Sequence, residues 1–188
     1  TLIRDQGVYR KYPDYQPRCW VYSDYGTTHG SINVSQALAK SCNYFFYETA
    51  DLMGIDHLNT YCTKLGLGQK TGIEIPEAAG VLAGPEYRKK IDSEWYPGDV
   101  LQAAIGQSDN LFTPLQLANY VATIVNGGTR YKAHLVKSVN NSKDGSHVTG
   151  ATIQAMETLD MKEENYHAIM YGMKLAADSG TASTLFSN

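Results

Sequence analysis

Residues 29–46 read HGSINVSQALAKSCNYFF, and this stretch decides the fold because it predicts two helices separated by a short junction. Asn33 followed three positions later by Gln36 has the form of a capping box. Val34 and the apolar residues after it recur at helical spacing. A short helix is therefore predicted over residues 34–40.

The second predicted helix runs from about Cys42 to Met53 and ends at Gly54. Its expected apolar face consists of residues at helical spacing, namely Phe45, Phe46, Thr49, Leu52 and Met53. Asp56 is then expected to cap a third helix that ends at Leu65-Gly66. Residues 31–68 are thus predicted to form a helical cluster.

The segments on either side of this cluster carry turn signals. Residues 1–30 are rich in tyrosine with Pro13 and Pro17 between the rings, which predicts an irregular arm laid over the core. A carbohydrate-stacking surface is the alternative interpretation of these tyrosines. Residues 69–112 are rich in Gly and Pro and predict a long ordered loop.

The last segment, residues 113–188, is predicted to hold a helix, short strands and a helix. Thr113-Pro114-Leu115-Gln116 combines a capping Thr with a proline at the first helical position, which predicts a helix start. Residues 129–139 alternate like a strand and the turn residues after them indicate a short hairpin. Asp160 is expected to start the last helix, which ends near Asp178-Ser179-Gly180.

Composition indicates one ordinary globular domain, so residues 1–188 are treated as a single partial domain. The chain has 43% hydrophobic and 19% charged residues and a formal charge of −3. Its scattered Lys and Arg residues argue against nucleic acid as a partner. No run of about 18 apolar residues and no signal peptide occurs. Because the first residue is Thr1, we expect the sequence to be excised from a longer protein.

The three cysteines, Cys19, Cys42 and Cys62, form an odd set without a Cys-x-x-Cys pair. They also lack a metal-like spacing with the five histidines, so the sequence predicts neither a metal site nor a cofactor. Free thiols are predicted. A single disulfide of unspecified pairing is the alternative if the domain lies outside the cytoplasm.

The tripeptide Ser41-Cys42-Asn43 has the form Ser-x-Asn, which alone occurs by chance in many chains. An ordered series of further motifs surrounds it: HG at 29–30, LGLGQKTGIEIPE at 65–77, Trp95 with PGD at 97–99, AIGQ at 104–107, TPLQLA at 113–118, NGG at 126–128 and GM at 172–173. In this series the chain resembles the transpeptidase domain of class B penicillin-binding proteins. Their active site combines Ser-x-x-Lys, Ser-x-Asn and Lys-Thr-Gly motifs.

The resemblance implies a fold class that is mainly α with minor β. This fold would be the helical part of a penicillin-binding protein/serine β-lactamase-like transpeptidase domain, with most of the catalytic sheet missing. Ser41 would relay a proton toward the leaving amine. Asn43 would bind the substrate's side-chain amide and orient a catalytic lysine, and Gln107 would contact substrate near the cleft. Cys42 would point away, and His29 would make a structural hydrogen bond.

Each of these residues also has a purely structural interpretation. Ser41 or Asn43 would then cap a helix, because both stand where two predicted helices meet. Gln107 would be a loop residue that caps a neighbouring helix. Without the surrounding motifs, the capping interpretation would be favoured for the tripeptide.

The other two active-site motifs have only imitations in this sequence. Lys70-Thr71-Gly72 lies where the family has a structural turn, and residues 178–182 are interpreted as a helix end. None of the serines is followed by lysine three positions later, and Thr129-Arg130-Tyr131-Lys132 lies in a predicted strand. We therefore expect the chain to begin after the first motif, to end before the third, and to be inactive alone.

The function implied by the resemblance is that of a peptidoglycan D,D-transpeptidase, which cross-links stem peptides and is acylated by penicillin at a serine. Its partners would be stem peptides, β-lactams and other proteins of cell-wall synthesis. It would act at the extracytoplasmic face of the bacterial cell membrane, held by an anchor outside this chain. The alternatives are a non-catalytic helical scaffold or partner-binding module, and a fragment of a β-lactam sensor or class D-like β-lactamase.

Overall fold

The computed structural model describes residues 1–186, which are mainly helical with short strands, as the sequence predicts. The helices are α1 (Trp20–Tyr25), α2 (Val34–Ala39), α3 (Asn43–Met53), α4 (Ile55–Lys64), α5 (Pro85–Lys90), α6 (Asp99–Ala104), α7 (Pro114–Val125), α8 (Glu163–Asp178) and α9 (Ser183–Phe186). The strands are β1 (Ile3–Arg4), β2 (Ser31–Ile32), β3 (Thr129–Tyr131), β4 (Ser138–Asn140), β5 (His147–Gly150) and β6 (Ala155–Thr158). None of the helices in residues 1–186 has the length and apolarity that crossing a membrane requires.

The chain divides into two compact units by its internal contacts. Unit 1 comprises residues 1–59, residues 83–110 and the segment from residue 161 onward, and unit 2 comprises residues 60–82 and 111–160. The sequence predicts one domain, and this division into contact units leaves that prediction open.

The core of unit 1 forms where the first 30 residues pack against α3. Tyr9 is 3% exposed and its ring meets the Tyr44 and Tyr47 rings edge-on, with centroids 5.3 Å and 6.2 Å apart. The Tyr9 hydroxyl donates a hydrogen bond to Asp51, which removes the penalty of burying it. The prediction that residues 1–30 form an irregular arm is therefore wrong in part. These residues contain β1 and α1 and contribute core side chains.

Helix α3 buries a face that matches the predicted one only in part, since Phe45 is buried and Phe46 packs against the core as predicted. Tyr44, Phe45, Tyr47 and Ala50 are its buried residues, whereas Leu52 is 75% exposed. The tyrosines turn inward because their rings pack on Tyr9 while their polar hydroxyls find partners, which a purely apolar pattern does not anticipate.

The predicted starts of α4 and α8 are displaced from the observed ones. Asp56 lies inside the first turn of α4 instead of capping it, because the helix begins at Ile55 directly after Gly54. Helix α8 begins at Glu163, three residues after Asp160. Glu163 and Glu164 stand in its first turn, where negative charge favours a helix N-terminus.

The long loop predicted for residues 69–112 contains two helices, α5 and α6. Gly84-Pro85 reads as a helix breaker, yet Pro85 is the first residue of α5, a position that needs no backbone N–H. Helix α6 packs against α3, and Leu101 of α6 is fully buried in the core of unit 1. The prediction of a continuous loop is thus wrong for these turns.

Helices α2 and α8 pack closely within unit 1. Ser35 Oγ donates to the carbonyl of Ala168 at 2.7 Å, and Gly172 faces Ser35 and Leu38 so tightly that no side chain fits at that position. The capping box of Asn33 and Gln36 is confirmed, and α2 ends at Ala39. The expected helix end at residues 178–180 is confirmed as well.

Unit 2 is arranged around α7, whose predicted capping box of Thr113 and Gln116 is confirmed. Strand β3 pairs with β6, while β4 and β5 form the predicted hairpin across the turn at residues 141–146. The predicted strand over 129–139 is interrupted, because its two ends, β3 and β4, belong to different sheets.

Candidate functional site

The Ser-x-Asn tripeptide lies at the junction between α2 and α3. Ser41 adopts a left-handed backbone conformation with φ 50°, which costs a non-glycine residue about 1–2 kcal/mol. Its N–H donates to Leu38 O, and the Cys42 N–H donates to Ala37 O at 3.0 Å, so the turn is closed by hydrogen bonds. These bonds hold Ser41 in its strained conformation between the two helices.

The capping interpretation of the tripeptide is wrong for Ser41. Cys42 is the N-cap residue of α3, and it makes no side-chain capping bond. Asn43 is the first residue of the helix, and its side chain bonds to Tyr47 one turn later. Burial raises the pKa of Tyr47, and the hydrogen bond with Asn43 opposes this rise.

The Ser41 hydroxyl has a partner from the far end of the chain. Its Oγ lies 2.6 Å from Thr181 Oγ1, and the Thr181 N–H donates to Ala39 O at 3.1 Å. These two hydrogen bonds connect the turn after α8 to the turn after α2. No local pattern distinguishes Thr181, which the sequence indicates only as part of a helix end.

The three predicted site residues line one cleft of ≈ 340 Å³ within unit 1. Ser41, Asn43 and Gln107 contribute its polar groups, and Trp20, Leu38, Phe46 and Ile105 contribute its apolar walls.

Trp20 is held in place by its Nε1–H, which donates to Lys40 O at 3.0 Å. Gln107 reaches the cleft because the chain turns at Gly106, with φ 76°, directly after α6. The structure brings these residues together, and their catalytic roles stay a prediction.

Cys42 points to the opposite side of the junction and is fully buried, as expected from the resemblance. There it joins Asp5, Cys19 and His29 in a cluster whose potential ligand atoms all lie within 4.8 Å of one another. Cys19 Sγ is 3.9 Å from Cys42 Sγ and 3.5 Å from His29 Nδ1. His29 Nδ1 is 2.9 Å from Asp5 Oδ2, so its expected structural hydrogen bond is confirmed.

The two distances from Cys19 Sγ fit a tetrahedral metal ion. The His29 Nδ1–Asp5 Oδ2 distance of 2.9 Å is that of a hydrogen bond, and it would have to open to about 3.3 Å for both atoms to bind one ion. With Zn–S bonds of about 2.3 Å and Zn–N bonds of about 2.0 Å, tetrahedral geometry puts two sulfurs about 3.8 Å apart and sulfur and nitrogen about 3.5 Å apart. The prediction that no metal site exists assumed ligands close in sequence. The fold contradicts that assumption, because it collects the four side chains from four separate positions. Cys19, Cys42 and Cys62 are free thiols, as predicted.

Charge is distributed unevenly in this four-residue cluster. Burial tends to raise the pKa of Asp5, but hydrogen bonds from the His29 and Gly7 N–H groups outweigh it and lower that pKa. The hydrogen bond with Cys42 lowers the pKa of Cys19 to about 6 and raises that of Cys42. One carboxylate, one imidazole and two thiols form a donor set of the kind that binds Zn²⁺ in proteins.

The Lys70-Thr71-Gly72 sequence forms a loop in unit 2, as predicted. Glu77 holds it with three hydrogen bonds, from the Thr71 N–H at 2.9 Å, the Thr71 hydroxyl at 2.9 Å and the Gly72 N–H at 2.7 Å. Some burial raises the pKa of Glu77, but these donors outweigh it and the pKa is lowered. The segment therefore has a structural role and no free strand edge for a substrate peptide.

Comparison with known proteins identifies the family of this chain. The family model described as "Penicillin binding protein transpeptidase domain" matches residues 2–186. Peptidoglycan D,D-transpeptidase MrdA of Acinetobacter baumannii is 36% identical over 146 residues, covering 76% of this chain and 21% of that protein. Penicillin-binding protein 2A of Bacillus subtilis is 33% identical over 203 residues, covering 97% of this chain and 26% of that protein.

A similar fold occurs in the solved structure of a peptidoglycan synthase complex that coordinates polymerization and crosslinking. The match has a TM-score of 0.81 and 29% identity, and it covers 100% of this chain and 30% of that chain. The present chain thus spans about a quarter of the length of the curated relatives it matches.

Proposed function

Because the chain belongs to the family of penicillin-binding protein transpeptidase domains, we propose that it is part of a peptidoglycan D,D-transpeptidase. The observation that carries this proposal is the shared cleft of Ser41, Asn43 and Gln107 at the junction of α2 and α3. The reaction would transfer the acyl group of a stem peptide through a serine ester, and β-lactams would acylate the same serine.

Ser41 would pass a proton toward the leaving amine, since its hydroxyl lies in the cleft and is already in a hydrogen-bonded pair with Thr181. Asn43 would donate its side-chain amide to a carbonyl of the substrate. Gln107 would bind the peptide on the other side of the cleft. Trp20 and Phe46 would exclude water from the bound peptide.

Labelling with a fluorescent penicillin tests this proposal. The 188-residue chain contains no Ser-x-x-Lys, so we expect it to remain unlabelled. A longer form, extended at both ends until it includes Ser-x-x-Lys and Lys-Thr-Gly, should be labelled. If the longer form folds but is not labelled, the chain is a scaffold or a partner-binding module instead.

The relatives suggest where the whole protein acts. The chain resembles part of a peptidoglycan synthase complex, so we propose that the whole protein works with other cell-wall synthesis proteins. Its substrates, the stem peptides, lie outside the cytoplasm, and the enzyme would therefore act at the extracytoplasmic face of the membrane. Fractionation of cells with and without outer-surface protease treatment would test this location.

The second proposal concerns the buried cluster of Asp5, Cys19, His29 and Cys42. We propose that it binds Zn²⁺ in a structural role, since four protein ligands leave no open position for a substrate. Cys42 precedes Asn43 directly, so a metal there would fix the start of α3 and hold the tripeptide in place. This role would support the site without taking part in the reaction.

A further inference from the structure

Two turns that both begin with Tyr-Pro line the same cleft in unit 1. Residues 12–15, Tyr-Pro-Asp-Tyr, form a turn in which the Tyr15 N–H donates to Tyr12 O at 3.2 Å. Residues 96–99, Tyr-Pro-Gly-Asp, form a turn in which the Asp99 N–H donates to Tyr96 O at 2.9 Å. Each turn has proline at its second position, which fixes the backbone before any ligand arrives.

The two turns line a cleft of ≈ 450 Å³. They approach closely because residue 98 is a glycine: a Cβ atom there would lie 3.0 Å from Cδ1 of the Tyr15 ring. Two of the rings are held by their hydroxyls, since Gln102 donates to the Tyr15 hydroxyl and the Tyr12 hydroxyl donates to Asp51. The cleft is therefore a preformed aromatic site.

The charge of this cleft is negative. Asp14 and Asp99 line it, and Glu94 accepts a hydrogen bond from the Tyr96 hydroxyl at 2.7 Å. Neither turn contains Lys, Arg or His. Within residues 1–186, neither a hydrogen bond nor an ion pair engages the Asp14 carboxylate.

Arg88 and Lys11, which interact with residues of the cleft, are already paired with other carboxylates. Arg88 interacts with the charge of Asp99, but its guanidinium is bonded to Asp109. Lys11 lies 5.7 Å from the centre of the Tyr12 ring and is bonded to Asp51. The Asp14 carboxylate and the Tyr96 side chain, which is 60% exposed, thus stay available to a ligand.

We propose that this cleft binds the ammonium group of a lysine-type side chain on a peptide. Tyrosine faces attract an ammonium ion through their negative electrostatic potential, and carboxylates at the rim add a directional partner. A neutral sugar would also stack on the rings and could donate hydroxyl groups to Asp14, but it would not neutralise the negative charge of the cleft.

The position of the cleft suggests what the peptide is, and this step rests on the proposed function. Asp99 at the start of α6 lines the aromatic cleft, and Ile105 and Gln107 beyond its end line the cleft of Ser41. The six residues of α6 rise about 9 Å along the helix axis, and a few extended residues of a peptide are longer than this rise. The ligand would be a stem peptide with a free side-chain amine.

The test is an NMR titration of the 188-residue chain with the tripeptide alanyl-lysyl-alanine and with its Nε-acetylated form. We expect shifts in residues 12–15 and 96–99, and about tenfold weaker binding of the acetylated peptide. Asp14→Asn should weaken binding of the charged peptide about fivefold, while Asp24→Asn, an equal charge change at an exposed position of α1, should not. The binding should also weaken with added salt.

Equal affinity for the two peptides would overturn the proposal, and so would equal effects of the two Asp→Asn variants. Binding of N-acetylglucosamine in place of the charged peptide would overturn it in favour of a carbohydrate surface. Failure of penicillin labelling in the longer protein would remove the stem-peptide assignment alone. Binding of the ammonium group would survive that result, so the two failures are distinguishable.

Discussion

The side-chain oxygens of Ser41 and Thr181 lie 2.6 Å apart, which joins the tripeptide to a residue 140 positions later in the chain. The Thr181 N–H also donates to Ala39 O, so this contact has a backbone component as well. Thr181 therefore fixes where the Ser41 hydroxyl points without lining the cleft itself.

Ser41→Ala should lower the rate at which penicillin acylates the longer protein by about 10²–10⁴-fold, the usual contribution of a positioned acid or base. Thr181→Val should have a smaller effect, because Ser41 keeps its hydroxyl and loses only its orientation. Labelling reactions with fluorescent penicillin that are stopped at a series of times give both acylation rates. Acylation of the Ser41→Ala variant at the wild-type rate would show that Ser41 moves no proton.

Gly172→Ala should destabilise the chain even though alanine is the better helix former. The added Cβ would lie 2.9 Å from Ser35 Cα and 2.8 Å from Leu38 Cδ1, and the backbone atom cannot move aside like a side-chain end. Overpacking costs about 1–3 kcal/mol, while the propensity of Ala over Gly returns about 1 kcal/mol. Urea denaturation should show a net loss. Tyr171→Ala, at an exposed position of the same helix, should change the free energy of unfolding much less.

Gln116→Leu should lower the free energy of unfolding far more than Gln36→Leu, although both glutamines belong to capping boxes. Gln116 is 1% exposed, accepts from the Thr113 N–H and donates to the carbonyls of Gln69 and Ala79. Removing it would leave buried polar groups without partners, at about 3 kcal/mol in total.

Gln36 is exposed, and its loss should cost about 1 kcal/mol because water replaces its bonds. Chemical denaturation of the two variants under one set of conditions measures the difference. Equal losses would mean that the buried contacts of Gln116 contribute nothing beyond capping.

Glu77 should make stability depend on pH in the acidic range. Its pKa is lowered in the folded chain, so its stabilising effect is complete above the unfolded value of about 4.3. The effect is lost as pH falls through the lower folded pKa. Glu77→Gln should remove about 1 kcal/mol near neutral pH and flatten this part of the pH profile. Thermal unfolding of both proteins between acidic and neutral pH measures how stability depends on pH. If the two proteins show the same dependence, the three hydrogen bonds of Glu77 do not contribute to stability.

Zn²⁺ should raise the midpoint of thermal unfolding, and a chelator should reverse the effect. Cys19→Ser and Cys42→Ser should each weaken metal binding by about two orders of magnitude. Cys62→Ser is the matched control, because Cys62 is outside the four-residue cluster. Substitution with Co²⁺ should give thiolate absorption bands in the control and clearly weaker bands in the Cys19 variant, which keeps Cys42 as its one thiolate. Identical spectra would disprove the site.

Local sequence signals predicted the parts of the fold that depend on neighbouring residues. The capping boxes at Asn33 and Thr113 were found because their partners lie three positions away. The sequence does not predict helix α5, because Gly84-Pro85 marks a turn as readily as a helix start. Whether a proline breaks or begins a helix depends on the tertiary contacts of the residues after it.

The candidate site divides in the same way. Ser41, Asn43 and Gln107 were selected from motifs, and the fold brings them to one cleft. The metal-like cluster and the Ser41–Thr181 contact were not found, since their members are 10 to 140 positions apart. Asp5 and His29 carry no local pattern that distinguishes them from other acids and histidines in the chain.

Cys42 occupies the position that the notation Ser-x-Asn leaves open, yet it has the least freedom of the three. It is fully buried, is the N-cap residue of α3 and lies against Cys19 and Asp5, whereas Ser41 is exposed. A library that randomises the tripeptide and selects only for folding should therefore recover many residues at position 41 and very few at position 42. Position 42, which the motif leaves unspecified, should therefore tolerate the fewest substitutions of the three.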